Sequence, residues 1–397
     1  MVGAVSGSPL RVVVAGGGVA ALELALALRA LAEERVSVEI VAPETEFTYR
    51  PLAVVEPFRA GEMASFPLPA LVRATGAELR AATVASVDAD RKTIVTDEGD
   101  EVSYDVLVVA LGARPREAVP GALTFRGPQD GPALASLLGD VVDGRLRRLA
   151  FAVPAGATWP LPLYELALLT ETYLADRGTM EVELTLVTPE EAPLAIFGHV
   201  AAEALEELLQ TRRIELRLRT TPFRFEHRAL QLMPADALDV DAVIALPRAE
   251  GPFLSGLPSD FAGFLPTDEH GRVVGAEDVY AAGDVTHFPV KQGGIATQQA
   301  DAVAEAIAAR AGAPVDPAPF RPVLRGLLLT GLFPRFLRAE PRTGASAIDT
   351  EALWWPPAKI VGRYLAPFLA ERIGVADMPP PQGEGAVPVD VVLEPAR

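Results

Sequence analysis

Short apolar runs bounded by turn residues recur along the chain, and most lead into a stretch with helical spacing. The first covers residues 12–15, meets the glycines Gly16, Gly17 and Gly18, continues as VAALELALALRALAEE and closes on a second apolar run at residues 36–41. That order predicts strand, tight turn, helix, strand. Apolar runs of this kind suit strands buried on both faces, as in a parallel sheet covered by helices. Shorter strands are expected around residues 82–87 and 92–96, with Gly99 and Asp100 as turn residues, before the apolar YDVLVVALGA at residues 104–113.

A second cycle starts near residue 148, where LAFAVPAGATWPLPLYELALLTETYL and then VELTLVTPEE again predict strand, turn, helix, strand. A third apolar run, VYAAGD at residues 279–284, precedes a loop and a helix expected at residues 296–310. This stretch is assigned back to the first unit. Past residue 312 the chain becomes rich in Arg and Leu, continues as WWPPAKIVGRYLAPFLAERIG and ends in a Pro-rich tail. In that segment Trp354 and Trp355, with a stripe through Ile360, Tyr364 and Phe368, predict an amphipathic contact helix, weakened by Gly362 and Pro367. Such a stripe more often packs on its own core or a second subunit than on a membrane.

Composition narrows the function. At 397 residues, 50% of them hydrophobic, the chain is long enough for two or three cored domains. Its 53 acidic residues against 35 basic ones give a formal charge of -18, which repels nucleic acid and anionic headgroups. With no cysteine, disulfides, thiolate metal sites and catalytic thiols are excluded. No metal site is expected. The first residues lack the basic start and apolar core of a signal peptide, and no window reaches the length of a spanning helix, so a cytoplasmic location is expected.

Gly16, Gly18 and Ala21 form G-x-G-x-x-A between a buried strand and a helix. Gly16 permits the tight turn, Gly18 lets backbone N–H groups approach a pyrophosphate, and Ala21 lets helix and strand pack closely. The plainer alternative is a tight turn in some other α/β domain. The acid that should grip the ribose about 20 residues beyond the loop falls near Ala42 and Pro43, which leaves Glu44 as a weak substitute. In VYAAGDVTHFPVKQGGIATQQA, Gly283 and Asp284 end an apolar run, where a carboxylate accepts hydrogen bonds from polyol hydroxyls.

Taken in order, G-x-G-x-x-A, YDVLVVALGA and VYAAGDV resemble the two-dinucleotide-binding-domain flavoproteins over roughly residues 11–310. That superfamily includes pyridine nucleotide-disulfide reductases, type II NADH dehydrogenases and sulfide:quinone oxidoreductases. FTYRPL from Phe47 and KQGGIATQQA from Lys291 are similar to the last two branches, while Leu111 stands where the superfamily usually has threonine. The resemblance implies an α/β fold of two Rossmann-like FAD/NAD(P)-binding domains plus a small C-terminal segment. Residues 1–115 and 263–312 would form a discontinuous FAD domain, 116–262 a second nucleotide-binding-like domain, and 313–397 an interface or capping segment. It also implies FAD, with Gly16, Gly18, Val19 and Ala20 cradling its pyrophosphate, Val84 facing the adenine through its backbone, and Ala110 and Gly112 lining the cofactor. Asp284, after Gly283, would hold the ribitol, and Glu44, Arg50 and Gly293 complete the expected set. Lys291 would reinforce the next helix's dipole beside the flavin, unless it is an ordinary solvated loop lysine. His287 has two readings, a flavin or substrate contact and a satisfied loop histidine.

The second turn, VPAGATWPLPLYE, is a poor nicotinamide site: it has one glycine, Gly156, three prolines without N–H donors, and Trp159 in the path of a pyrophosphate. The leading expectation is an FAD-dependent oxidoreductase passing electrons from a small donor to a quinone-like or other acceptor without a redox dithiol. The cysteine-dependent route of sulfide:quinone oxidoreductases is excluded. An NAD(P)H dehydrogenase, motivated by Glu190 and Glu191 after the second strand, and a flavin-binding protein without turnover are the alternatives. No residue is assigned as catalytic, and a homodimer and a peripheral membrane contact stay open.

Overall fold

The computed structural model describes residues 8–61, 63–179 and 181–373. The Pro-rich tail lies outside them. Helices α1 (Val19–Ala32), α2 (Leu68–Thr75), α3 (Gly131–Val142), α4 (Leu161–Ala175), α5 (His199–Thr211), α6 (Gly293–Arg310) and α7 (Leu365–Ile373) surround two parallel sheets. None is long and apolar enough to cross a membrane.

The first sheet has the order Val279–Ala281, Val106–Val109, Leu10–Ala15, Val36–Val41, Glu78–Arg80, with every pair parallel. Strand Val106–Val109 is buried along its whole length, as a central strand covered on both faces must be. Helices α1 and α6 pack against each other on one face. Ala21, Ala25, Ala300 and Ala304 share that core, and such small side chains let the helix axes approach closely. The second sheet repeats the plan with the order Leu123–Thr124, Ala242–Ala245, Arg148–Ala152, Glu183–Val187, Ile214–Arg217, again all parallel. The antiparallel pair Arg114–Arg116 and Arg248–Glu250 carries the chain between the two sheets.

Beyond α6 the Arg- and Leu-rich segments are strands Leu324–Leu328 and Arg335–Glu340, which with Ala345–Asp349 make an antiparallel sheet. It packs on α4 and α5, and a Cβ at Gly326 would lie 2.7 Å from both Leu161 and Phe197. The contact helix expected through Ile360 and Tyr364 is corrected by the structure, because helix begins only at Leu365. Pro356 and Pro357 remove N–H donors and Gly362 lowers helix propensity, so residues 354–364 run as an irregular strap. Trp354 is buried in the protein's own core, and Pro367 is tolerated because it sits in the first turn of α7. Helix α6 also starts three residues before the expected Ala296.

Candidate active site

The glycine turn after strand Leu10–Ala15 is tight where backbone must pass and open where a ligand must enter. Gly16 has φ +114°, and a Cβ there would lie 2.4 Å from the carbonyl oxygen of Ala110. Any side chain at that position would force the two strand ends apart. A Cβ at Gly17 would come within 2.7 Å of Leu68 and 3.0 Å of Ala42. The place expected for a ribose-binding acid is thus filled by a buried methyl group packed on the turn. Around Gly18 there is no heavy atom within 4 Å of where a Cβ would sit. Helix α1 begins next, with no side-chain cap and no acid in its first turn, so its first N–H groups face the open side as an anion site.

Asp284 lies in the turn after strand Val279–Ala281, next to Gly283, which packs on α1. Gly283 reaches φ +83°, and its Cβ position lies 3.2 Å from Ala20 and 3.5 Å from Ala296, so the turn is wedged between α1 and α6. Gln299 fixes it: its Oε1 accepts from the Gly283 N–H at 2.8 Å, and its Nε2 donates to Thr286 Oγ1 at 3.1 Å. Asp284 is half-buried, and desolvation pushes its carboxyl up to about 6, against the pull of Lys291 and Arg50. Lys291 is not a solvated loop lysine. It is buried, its Nζ donates to the Thr286 carbonyl and stands 3.8 Å from the Phe264 ring centroid, and desolvation lowers it to about 8 while Asp284 and Asp260 oppose the shift.

At the start of α6, Gln292 Oε1 accepts from the Gly294 N–H at 2.7 Å, while its Nε2 is buried with no partner among the described residues. An orphaned donor at a helix N-terminus, an uncapped α1 and the clear space at Gly18 and Gly112 match the acceptors of a dinucleotide. The residues therefore suit FAD. Among the expected set, Gly16 touches Ala110, Gly283 touches Ala20, and Arg50 and Lys291 share the field of Asp284. Gly293 lies against Ile360, 3.0 Å from a would-be Cβ, and Val19 is the first residue of α1. Val84 is buried at the start of its strand, paired with Thr96, in the core that holds Val13 and Ala15. Glu44 is exposed in the turn after strand Val36–Val41. His287 follows its plainer reading, since its Nδ1 accepts the Thr267 N–H at 3.2 Å.

The second sheet's turn is built differently. Gly156 has φ +74° with nothing near it, but Pro154 and Pro160 flank the turn and Trp159 packs edge-on to Phe197 with ring centroids 5.7 Å apart. Glu190, the acid beyond the second strand, is already occupied. Its Oε2 accepts from the Tyr164 hydroxyl at 2.7 Å and from Thr188 Oγ1 at 2.8 Å. Burial raises both the Glu190 carboxyl and the Tyr164 hydroxyl, the latter further raised by the charge of Glu190. Glu191 is exposed.

Several residues that position the site carry no motif. Lys359 donates to both oxygens of Glu165 at 2.6 Å, and the Leu329 N–H donates to Glu165 at 2.8 Å. The Ile360 N–H donates to the Tyr49 hydroxyl at 2.8 Å, and Thr297 Oγ1 donates to the Val361 carbonyl at 2.6 Å. Glu23 accepts from the N–H groups of Tyr364 and Leu365 at 2.9 and 2.6 Å, capping α7 from another helix. Burial pushes Tyr49 up to about 12 and raises Glu165 despite Lys359. The available signal was an acid inside an apolar helical run, LELALAL for Glu23 and YELALL for Glu165.

The family model for pyridine nucleotide-disulphide oxidoreductases matches residues 10–135 and 166–308. Mouse apoptosis-inducing factor 3 is 27% identical over 235 residues, 55% of this chain and 36% of that protein, so the match spans about a third of the relative's length. Among solved structures, sulfide:quinone oxidoreductase from Aquifex aeolicus superposes with a TM-score of 0.77 at 20% identity, covering 86% of this chain and 87% of that one. A ferredoxin reductase from Rhodopseudomonas palustris gives 0.64 at 19% identity over 83% and 82% of the two chains. These two structures are similar in fold.

Proposed function

Because this chain belongs to the pyridine nucleotide-disulphide oxidoreductase family and is an FAD-dependent oxidoreductase, we propose that it oxidises a small donor other than NAD(P)H and passes the electrons to a quinone-like acceptor with no dithiol between them. The observation that carries this reading is the occupied second turn. Glu190 spends its carboxylate on Tyr164 and Thr188, and Trp159 packs edge-on to Phe197 in that turn. The absence of cysteine removes a dithiol relay. The quinone-like acceptor rests on the similarity of FTYRPL and KQGGIATQQA to the sulfide:quinone oxidoreductase and type II NADH dehydrogenase branches.

In this reading FAD supplies the two-electron chemistry when bound, and the chain supplies position and charge. Gly16, Gly18, Val19 and Ala20 would hold the pyrophosphate at α1, and Asp284 after Gly283 would accept hydrogen bonds from the ribityl hydroxyls. Val84, Ala110, Gly112, Arg50, Glu44 and Gly293 line the remainder. Lys291 and the N-terminus of α6 would place positive charge beside the bound ring system. The domain division that goes with it is 1–115 with 263–312 for FAD, 116–262 for the second unit, and 313 onward for the part that covers the groove. The first sheet's strands lie within the first set and the second sheet's within the second.

Anaerobic visible spectra test the proposal. NADH and NADPH are expected to leave the oxidised-flavin band intact, dithionite to bleach it, and a short-chain quinone to restore it. Bleaching by NADH within seconds would replace this reading with an NAD(P)H dehydrogenase.

A further inference from the structure

The antiparallel sheet beyond α6 sets two arginines against each other. Strands Leu324–Leu328 and Arg335–Glu340 run in a register that places Arg325 directly opposite Arg338, and the third member of that row is Ala347, which adds no charge. Leu324, Gly326 and Leu328 are buried, with Gly326 against Leu161 and Phe197, so by strand alternation Arg325 points to the opposite face from α4. Arg338 shares that face by register. So do Leu327 and Phe336 in the next row, where the strap packs on the sheet through Val361 and Trp354, the Trp354 ring centroid 5.1 Å from that of Phe336.

Like charges directly opposite each other on a sheet are destabilising, and the nearby acids do not cancel this pair. Arg338 donates to Glu340, two residues on in its own strand, while its Nε is buried with no partner among the described residues. Arg325 has neither an ion pair nor a hydrogen bond among the described residues. Burial and then the charge of Arg338 hold its guanidinium down at about 10, against the weaker pull of Glu340. Asp349, the acid of the next row, accepts from the Glu351 N–H at 3.0 Å. Two cations therefore share one acid, both with donors to spare, and Arg325 is only partly buried, so a solute can reach it.

We propose that Arg325 and Arg338 form a binding site for a small carboxylate, bridged between their guanidiniums on the face of the sheet that the strap adjoins. The charge balance selects the anion. Two guanidiniums against Glu340 leave a single positive charge, which a monoanion neutralises and a phosphate dianion would exceed beside that carboxylate. The planar guanidinium fork also matches the two oxygens of a carboxylate. A bound carboxylate turns a repulsive row into a bridged one, so the ligand stabilises the sheet that holds it.

Titration calorimetry of the full chain tests the site with sodium acetate and, separately, inorganic phosphate at about pH 8, where phosphate is a dianion, both against a sodium chloride background that screens exposed charges. Acetate is expected to bind at one site per chain and more tightly than phosphate. Arg325→Met, which keeps most of the apolar stem, should weaken acetate binding by about tenfold or more, as loss of a charge-assisted hydrogen bond does. Arg338→Lys keeps a cation beside Glu340 but loses the fork, and a smaller weakening is expected. Thermal melts separate binding from a structural role. Without acetate Arg325→Met should melt no lower than the wild type, because an opposed charge is gone, and acetate should raise the melting temperature of the wild type alone. A wild type that binds neither anion, acetate binding that survives Arg325→Met, or a variant that melts below the wild type overturns the site. Phosphate bound more tightly than acetate overturns the carboxylate assignment.

Discussion

At the end of strand Leu10–Ala15 the chain turns through three glycines into an uncapped helix with clear space above Gly18. At the corresponding end of strand Arg148–Ala152 it turns through prolines into a helix whose Tyr164 is bonded to the acid beyond the next strand. The sheets, their all-parallel pairing and the packed helices are the same in kind. One scaffold of buried apolar strands thus carries two different turn chemistries, each fitted to its own packing. The second unit therefore keeps the parallel sheet while Tyr164, Glu190 and Trp159 spend their contacts on the protein itself at the corresponding turn.

Matched substitutions in the two turns break or sharpen this contrast. Gly16→Val is expected to abolish flavin binding and to cost about 3 kcal/mol or more, since the new side chain meets the Ala110 carbonyl at a positive φ. Gly156→Val has only its φ of +74° against it and should cost about 1 kcal/mol with flavin content unchanged. Absorbance per mole of protein and a thermal melt read both, and equal flavin loss in the two variants would end the distinction.

The paired acids come next. Asp284→Asn should weaken FAD binding by about 2 kcal/mol, some thirtyfold, as expected for hydrogen bonds to a charged group. Glu190→Gln should leave FAD affinity where it was, a difference that calorimetry on the apoprotein resolves. The pH dependence has a defined sign. Burial raises Asp284 to about 6, and the ribityl hydroxyls need its ionised form, so affinity should fall as the pH drops through about 6 and stay level from there until Lys291 titrates near 8. Persistence of that dependence in Asp284→Asn would place the titrating group elsewhere.

The smallest effect is expected from Tyr164→Phe, which removes one hydrogen bond to Glu190 for about 1 kcal/mol. Trp159 and the prolines still obstruct the turn, so NADH should continue to leave the flavin oxidised. Gain of NADH bleaching on this single change would show that Tyr164 alone closes the second site.

How much of this was legible in the sequence follows from the range of each interaction. Strands and turns near Gly16 and Gly283 are written in local patterns, a four-residue apolar run beside residues that accept positive φ. The occupied second turn was legible in part, since Pro154, Trp159 and Pro160 are visible, but the Tyr164–Glu190 bond needs the register of the second sheet. The strap was not legible. Its stripe of Ile360, Tyr364 and Phe368 has helical spacing, and tertiary contacts with Tyr49, Thr297 and Glu23 override it. Ala42 shows the opposite case, where the missing ribose acid has a steric reason that only its packing on Gly17 reveals.

Strand Val279–Ala281 completes the edge of the first sheet, and α6 pairs with α1 from roughly 270 residues further along the chain. During synthesis the cofactor groove therefore stays unfinished while the whole second unit emerges. The N-terminal strands wait with one flank unpaired, and such long-range closure is slow and exposes apolar surface on the way. If FAD binds α1 and the Gly283–Asp284 turn as proposed, it would join the early and late segments of that sheet and so favour the step at which the late segment docks. Yields of native protein should follow the flavin supply of the cell that makes it.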